Sequence, residues 1–369
     1  MTSYILLILF IIIVLFVYNF LQHPKFGKAP SGERLTRIQN SVQYKNGKFE
    51  NQNFTPDLAE DANYFSVFYK FFFKKVARKK PSDLIPSQKT NLHELTPDQD
   101  VLVWFGHSSY FIQLAGKKFL IDPVFSGNAS PVPGTTKSFK GTDIYTVDDL
   151  PEIDYLLITH DHYDHLDYET ILKLKPKTKK VITALGVGSH FEFWGFPKEI
   201  IIEKDWFSRV ELDENLTIYT TPARHFSGRR FKRCNTLWTS FVLENNNFRM
   251  YLGGDSGYDS HFAEIGEKYG PFDIALIDNG QYNKDWKYIH NLPEDVIKAI
   301  KDLKAKRVFP VHSSKFALSL HAWDEPLKKI TELNRLSDHP VPLITPIIGE
   351  LTELKNENQQ FTKWWEGVN

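Results

Sequence analysis

The chain has 369 residues, 41% of them hydrophobic and 14% aromatic, which is enough for one large core or two smaller ones. Its formal net charge is zero, so no global field draws nucleic acid, and nucleic acid is not an expected partner. A single cysteine, Cys234, excludes an intramolecular disulfide and any cysteine-based metal cluster.

The first element in chain order is the run Tyr4 to Leu21, almost wholly Ile, Leu, Val and Phe. As a helix it would extend about 27 Å, close to the hydrocarbon thickness of a bilayer. Three readings compete for it: a cleaved signal peptide, a retained anchor and a buried core helix. No Lys or Arg precedes the run and no small-x-small cleavage site follows it, which speaks against a signal peptide. It has no polar face and sits at the extreme terminus, which speaks against a core helix. Lys25, Lys28, Arg34 and Arg37 follow it, so residues 1–22 are expected to be a single-pass membrane anchor with the rest of the chain in the cytoplasm.

Residues 23 to 60 are polar and turn-rich, and read as a linker or a wrapped extension. Tyr64 to Phe73 is dense in aromatics and runs into Lys74, Lys75, Arg78, Lys79 and Lys80, with no acidic residue from 64 to 80. Rings favour the headgroup level and cations favour anionic lipid. A core helix with a solvated basic end fits the same letters.

From about Asp98 the texture changes to short apolar strands and turns. Strands are expected at 101–105, 110–114, 118–121, 181–184, 216–220, 248–252 and 274–277, with Ala115-Gly116-Lys117 as a hairpin. Helical spacing marks 168–174, 293–304 and 325–336, and Pro293 suits a first helical position. Strands interspersed with helices give an α/β class.

The apolar stretch Ile153 to Ile158 runs into Thr159-His160-Asp161-His162-Tyr163-Asp164-His165. That spacing cannot fall on one helical face, but it can line one cavity if the chain leaves a strand and turns tightly. Further apolar strands end in His225, in Asp255 between glycines, and in His312. Each alone is ordinary; together they form a donor set for two borderline metal ions such as zinc. His160, His162 and His225 would hold one ion, and Asp164, His165 and His312 the other. Asp255 would bridge two cations about 3.5–4 Å apart, with a shared hydroxide as nucleophile. The neighbouring glycines would let the backbone come close. Asp122 and His107 are either residues that orient a ligand or simple strand-end turns. His261, His321 and His339 read as structural or exposed.

The pattern His160-x-His162-x-Asp164-His165, with His225, Asp255 and His312, resembles the metallo-β-lactamase fold superfamily. More narrowly, it is similar to the branch of the N-acylphosphatidylethanolamine-hydrolysing phospholipase D. Supporting stretches are Trp104 to Ser108, Ile121 to Phe125, Pro222 to Ser227, Gly254 to Tyr258 and Tyr288 to Glu294. The resemblance implies a four-layer αββα sandwich, two zinc ions at one sheet edge, and cleavage of a phospholipid to phosphatidic acid and N-acylethanolamine. It also places His290 on the substrate side, where with Asp164 it is a candidate for the catalytic step. Gly280-Gln281-Tyr282 stands where Gly-Ala-Tyr is frequent, and Ser313-Ser314 where Trp-Gly follows the histidine in the animal enzyme; both lie at the expected site mouth.

The expected layout is therefore an anchor at 1–22, an extension carrying the aromatic and basic segment at 23–97, and a metallo-hydrolase domain at 98–369. Expected partners are a phospholipid substrate and a membrane, and assembly as a homodimer stays open. Two rival functions remain: a hydrolase of a soluble ester, lactone or nucleotide phosphodiester on the same fold, and a non-catalytic membrane-bound zinc or lipid-binding protein.

Overall fold

A computed structural model describes residues 2–246 and 248–369; Met1, included in the expected anchor, lies outside them. In chain order the N-terminal part contains α1 (Thr2–Leu21), α2 (Gly32–Gln39), the short hairpin β1 (Tyr44–Lys45) and β2 (Lys48–Phe49), and α3 (Tyr64–Phe73). Then follow β3 (Val101–Trp104), β4 (Tyr110–Leu114), β5 (Lys117–Ile121), β6 (Ile153–Ile158), α4 (Tyr168–Leu174), β7 (Thr178–Ala184), α5 (Gly188–Phe193) and β8 (Ile201–Lys204). The second half has β9 (Arg209–Asp213), β10 (Leu216–Thr221), β11 (Ser240–Asn245), β12 (Phe248–Leu252), α6 (His261–Lys268), β13 (Ile274–Asp278), α7 (Pro293–Asp302), β14 (Val308–Val311), α8 (Glu325–Leu336) and β15 (Leu351–Glu353).

Two mixed sheets face each other. One has the order β15-β3-β4-β5-β6-β7-β8, the other β14-β13-β12-β11-β10-β9. Leu102, Trp104, Ile112, Phe241, Leu276 and Phe309 meet between them in the largest buried cluster. A second cluster joins the outer face of the first sheet to α4 and α5 through Ile158, Ile171, Leu174 and Phe191. A third joins the second sheet to α6, α7 and α8 through Tyr251, Ile265, Val296 and Ile330. This is the expected αββα sandwich. Strands β5 to β8 run parallel, as do β12 to β14, so helices must cover the outer faces and the strands read as nearly continuous apolar runs.

Most element ends agree with the sequence reading, and the shifts have local causes. β3 stops at Trp104 because the chain turns at Gly106, with φ 85°. The β4–β5 hairpin needs only Ala115 and Gly116, both at positive φ, so Lys117 belongs to the strand. α7 ends at Asp302, and Lys304 turns back with φ 55°.

The polar stretch after α1 is wrapped onto the domain: Ile38 and Phe49 are buried with Leu237 and Trp238. α1 is the one helix among the described residues long and apolar enough to cross a membrane, and Tyr4–Leu21 is wholly unburied. α3 has no buried residue, which excludes the core-helix alternative for it.

Candidate metal centre

The site lies where strands from both sheets end. β6 is buried through Ile158, and the chain then folds into a tight turn in which Leu166 N donates to His162 O at 2.8 Å. The turn directs His160 and His162 one way and Asp164 and His165 another. His225 follows β10, Asp255 follows β12 and His312 follows β14. The backbone at Asp255 is crowded: a side chain on Gly254 would sit 2.8 Å from Thr159 Cβ and 2.9 Å from Thr239 O. Only glycine lets this strand end approach the turn after β6.

Three ring nitrogens converge. His162 Nδ1 lies 2.9 Å from His160 Nε2 and 3.2 Å from His225 Nε2. Asp255 Oδ2 faces them, 3.8 Å from His160 Nε2 and 3.7 Å from His225 Nε2. The other oxygen of the same carboxylate, Oδ1, faces the second group, 3.1 Å from His165 Nε2 and 3.0 Å from His312 Nδ1. Asp164 Oδ2 is 3.5 Å from His165 Nε2. Both groups have donor atoms spaced closely enough to hold a metal ion.

The side chains fit two such ions. His165 Nε2 and Asp255 Oδ1 are buried and, though 3.1 Å apart, are not aligned as a hydrogen bond with each other or with any other group, an arrangement costly for a protein unless another group satisfies it. Nδ1 of His162 faces two other ring nitrogens, and one hydrogen cannot serve three lone pairs. Burial, as the largest influence, pulls His160 and His225 well below the usual imidazole range and His162 down to about 4, so all three keep lone pairs for a cation at neutral pH. At Asp255 burial opposes the charge, but His165 and His312 hold it well below the usual carboxylate range. At His165 burial is outweighed by Asp255, Asp164 and Asp122, which raise it.

A second ring of residues aims the ligands. Asp122 Oδ2 binds His165 Nδ1 at 2.8 Å, which leaves Nε2 directed at Asp255. The same carboxylate accepts from the backbone N and the hydroxyl of Thr159, at 2.9 and 2.6 Å. His225 Nδ1 meets Ile289 O at 2.9 Å, so its Nε2 faces the cluster. Asp122 therefore orients a ligand, and is more than a strand-end turn. His107 does likewise: its Nε2 lies 2.9 Å from Asp164 Oδ2, close enough to join the second donor group. His107, Asp122 and His312 all adopt left-handed backbone, with φ 56°, 42° and 68°, a local strain of about 1–3 kcal/mol each that the surrounding packing must offset.

His290 is brought into the site as well. It is buried, its ring centroid lies 5.0 Å from that of His312, and its Nδ1 meets Asp278 Oδ2 at 2.9 Å. Burial lowers its pKa, but Asp278 more than reverses this and the net shift is upward. His261 is buried on Ser256 and His321 stacks on Tyr282, both as structural side chains, while His339 is exposed.

Two supports could not be seen in the sequence. Asn51 clamps the His225 backbone, donating to its O at 2.8 Å and accepting from its N at 3.0 Å. Asp161, between the two first histidines, meets His190 Nε2 at 3.1 Å and accepts from Gly228 N at 2.7 Å. Both partners lie far off in sequence, and the only available signal was a polar residue beside a ligand.

Comparison with known proteins agrees with this geometry. The beta-lactamase superfamily domain matches residues 117–313. An uncharacterized protein of Mycobacterium tuberculosis is 32% identical over 331 residues, covering 89% of this chain and 88% of its own. The N-acyl-phosphatidylethanolamine-hydrolyzing phospholipase D 1 of Caenorhabditis elegans is 30% identical over 314 residues, covering 76% of this chain and 86% of its own. Among solved structures, a metallo hydrolase from Ignicoccus hospitalis superposes with a TM-score of 0.52 at 23% identity, covering 69% of this chain and 97% of that one.

Proposed function

The chain belongs to the metallo-β-lactamase superfamily, in the branch of the N-acylphosphatidylethanolamine-hydrolysing phospholipase D, and is a metal-dependent hydrolase; from that membership we propose that it is a zinc phosphodiesterase acting on N-acylphosphatidylethanolamine or a related phospholipid. The observation that carries the hydrolytic part is Asp255, whose two oxygens are divided between two histidine groups. Bound in pairs, divalent ions polarise phosphodiester oxygens and acidify a coordinated water.

The protein's own residues do the rest. Asp255 fixes the spacing of the two donor groups, and its negative charge would offset the repulsion between cations held in them. His107 and Asp122 prevent Asp164 and His165 from turning away. His290, with Nδ1 fixed by Asp278, keeps Nε2 as the ring's second proton site, suited to protonating the leaving ethanolamine oxygen as its bond to phosphorus breaks. The products of that cleavage are phosphatidic acid and N-acylethanolamine.

The lipid part is supported by α1 and α3, since a soluble substrate requires neither an apolar helix of 20 residues nor an exposed aromatic one. With Lys25, Lys28, Arg34 and Arg37 following α1, the catalytic domain would face the cytoplasm. Arg34 and Arg37 end in ion pairs with Glu203, but charge acts on insertion before folding forms those pairs. The test is to load the full chain with zinc, count the ions and compare turnover of phospholipid vesicles with turnover of soluble esters, lactones and nucleotide diesters. Two ions per chain and preference for vesicles are expected. Preference for a soluble substrate would overturn the lipid assignment, and turnover by metal-free protein the whole proposal.

A further inference from the structure

The segment between β10 and β11 carries Arg229-Arg230-Phe231-Lys232-Arg233, with no acidic residue from 228 to 235. Phe231 is 85% exposed, and Arg230 and Lys232 beside it are exposed too. An isolated aromatic tip between two cations that have no ion-pair partner among the described residues contributes nothing to the core.

Its position is fixed from two sides. Arg229 is buried, its guanidinium 4.2 Å from the Tyr163 ring, and its Nε and Nη2 donate to Lys25 O at 2.9 and 2.7 Å. Arg230 donates to Gly27 O at 3.2 Å. Lys25 and Gly27 lie just past Leu21, the last residue of α1, and Phe20 in its last turn packs on Phe26 with ring centroids 5.1 Å apart. On the other side Arg233 pairs with Asp57 at 2.9 Å, and Asp57 accepts from the hydroxyl of Tyr64, the first residue of α3, at 2.8 Å. The loop thus bridges the two exposed apolar helices.

The same loop reaches the metal centre. The Arg233 guanidinium lies 3.9 Å from the Phe226 ring, and that ring packs on His162 at 4.5 Å and His225 at 4.7 Å. A cavity of about 300 Å³ opens there, lined among others by His225, Phe226 and Phe54, and Phe54 itself is largely exposed at its edge.

We propose that residues 230–233 form a third bilayer contact, joining α1 and α3 into one lipid-facing surface. Phe231 enters the interfacial region, Arg230 and Lys232 bind lipid phosphates, and the opening beside Phe226 is held against the membrane. This rests on the membrane and phospholipid reading above. Continuity with a helix of bilayer-spanning length and the uncompensated positive charge commit the surface to an anionic bilayer.

The test uses the full, metal-loaded chain in vesicles of phosphatidylcholine and phosphatidylglycerol. A nitroxide is attached at Phe231→Cys in a Cys234→Ser background, with Cys234→Ala in its place should the serine variant not fold, and metal content serves as the folding check. The control position is Leu336→Cys: α8 starts at Glu325, which accepts from the Tyr282 hydroxyl, and ends at Leu336, which lines a cleft with Lys304 and Ala305 just before β14 begins and runs to His312. Oxygen should reach the label at 231 several-fold better than a water-soluble nickel chelate does, the reverse should hold at 336, and the contrast at 231 should grow with the anionic fraction. Equal, water-like accessibility at both positions would overturn the proposal. A lipid-exposed label at 231 without phospholipid hydrolysis would keep the contact and discard the substrate. Hydrolysis with an aqueous label at 231 would do the reverse.

Discussion

At the end of β6, imidazoles and carboxylates are packed where a domain in water places apolar groups. Along α1 and α3, Phe, Ile, Leu and Tyr stand outside, where such a domain places polar ones. The two regions depart from the usual distribution in opposite directions, and each presents groups suited to a partner the polypeptide does not supply. Buried carboxylates and lone pairs require cations. Exposed aromatic and aliphatic runs mark a surface that lipid or another protein can cover. In the function proposed above, this pair of departures corresponds to a metal centre working beside a lipid surface.

Perturbing the buried region should give the largest effects. Asp255→Asn removes the bridging charge, and with several kcal/mol at stake hydrolysis should fall on the order of 10³-fold, measured as kcat/KM with zinc content determined in parallel. His290→Gln should retain both ions but lower kcat by roughly 10²-fold, with a pH profile that loses its alkaline limb; an unchanged kcat would remove His290 from proton transfer. Asp122→Asn frees the His165 ring and should weaken metal binding by about 10–100-fold in a chelator competition, with activity restored at high zinc.

Perturbing the exposed region should leave the fold intact. Phe65→Ser with Phe72→Ser changes two unburied rings, so stability should stay within about 0.5 kcal/mol by denaturant titration while the rate on vesicles falls several-fold. A large loss of stability would instead mean that α3 is part of the core.

The sequence reading reached both regions because each carries a local signal: ligand spacing after an apolar strand in one, and an unbroken apolar run in the other. It also placed β4, β12, α4 and α8 at their observed bounds. It passed over β9, β11 and α6: β9 has five residues at a sheet edge, and α6 has eight with Gly266 inside. Two supports of the metal centre were hidden for a different reason. Asp161 meets Gly228 across 67 positions and Asn51 meets His225 across 174, contacts created by the sandwich that no local pattern encodes.

In the proposed function, two metal-holding groups joined by Asp255 direct water at the phosphorus of a bilayer lipid. The most direct measurement is hydrolysis of N-acylphosphatidylethanolamine vesicles in ¹⁸O-labelled water by the zinc-loaded full chain, with the products weighed by mass spectrometry. One heavy oxygen is expected in the phosphatidic acid and none in the N-acylethanolamine. Label in the N-acylethanolamine, or no release from protein carrying both ions, would contradict it.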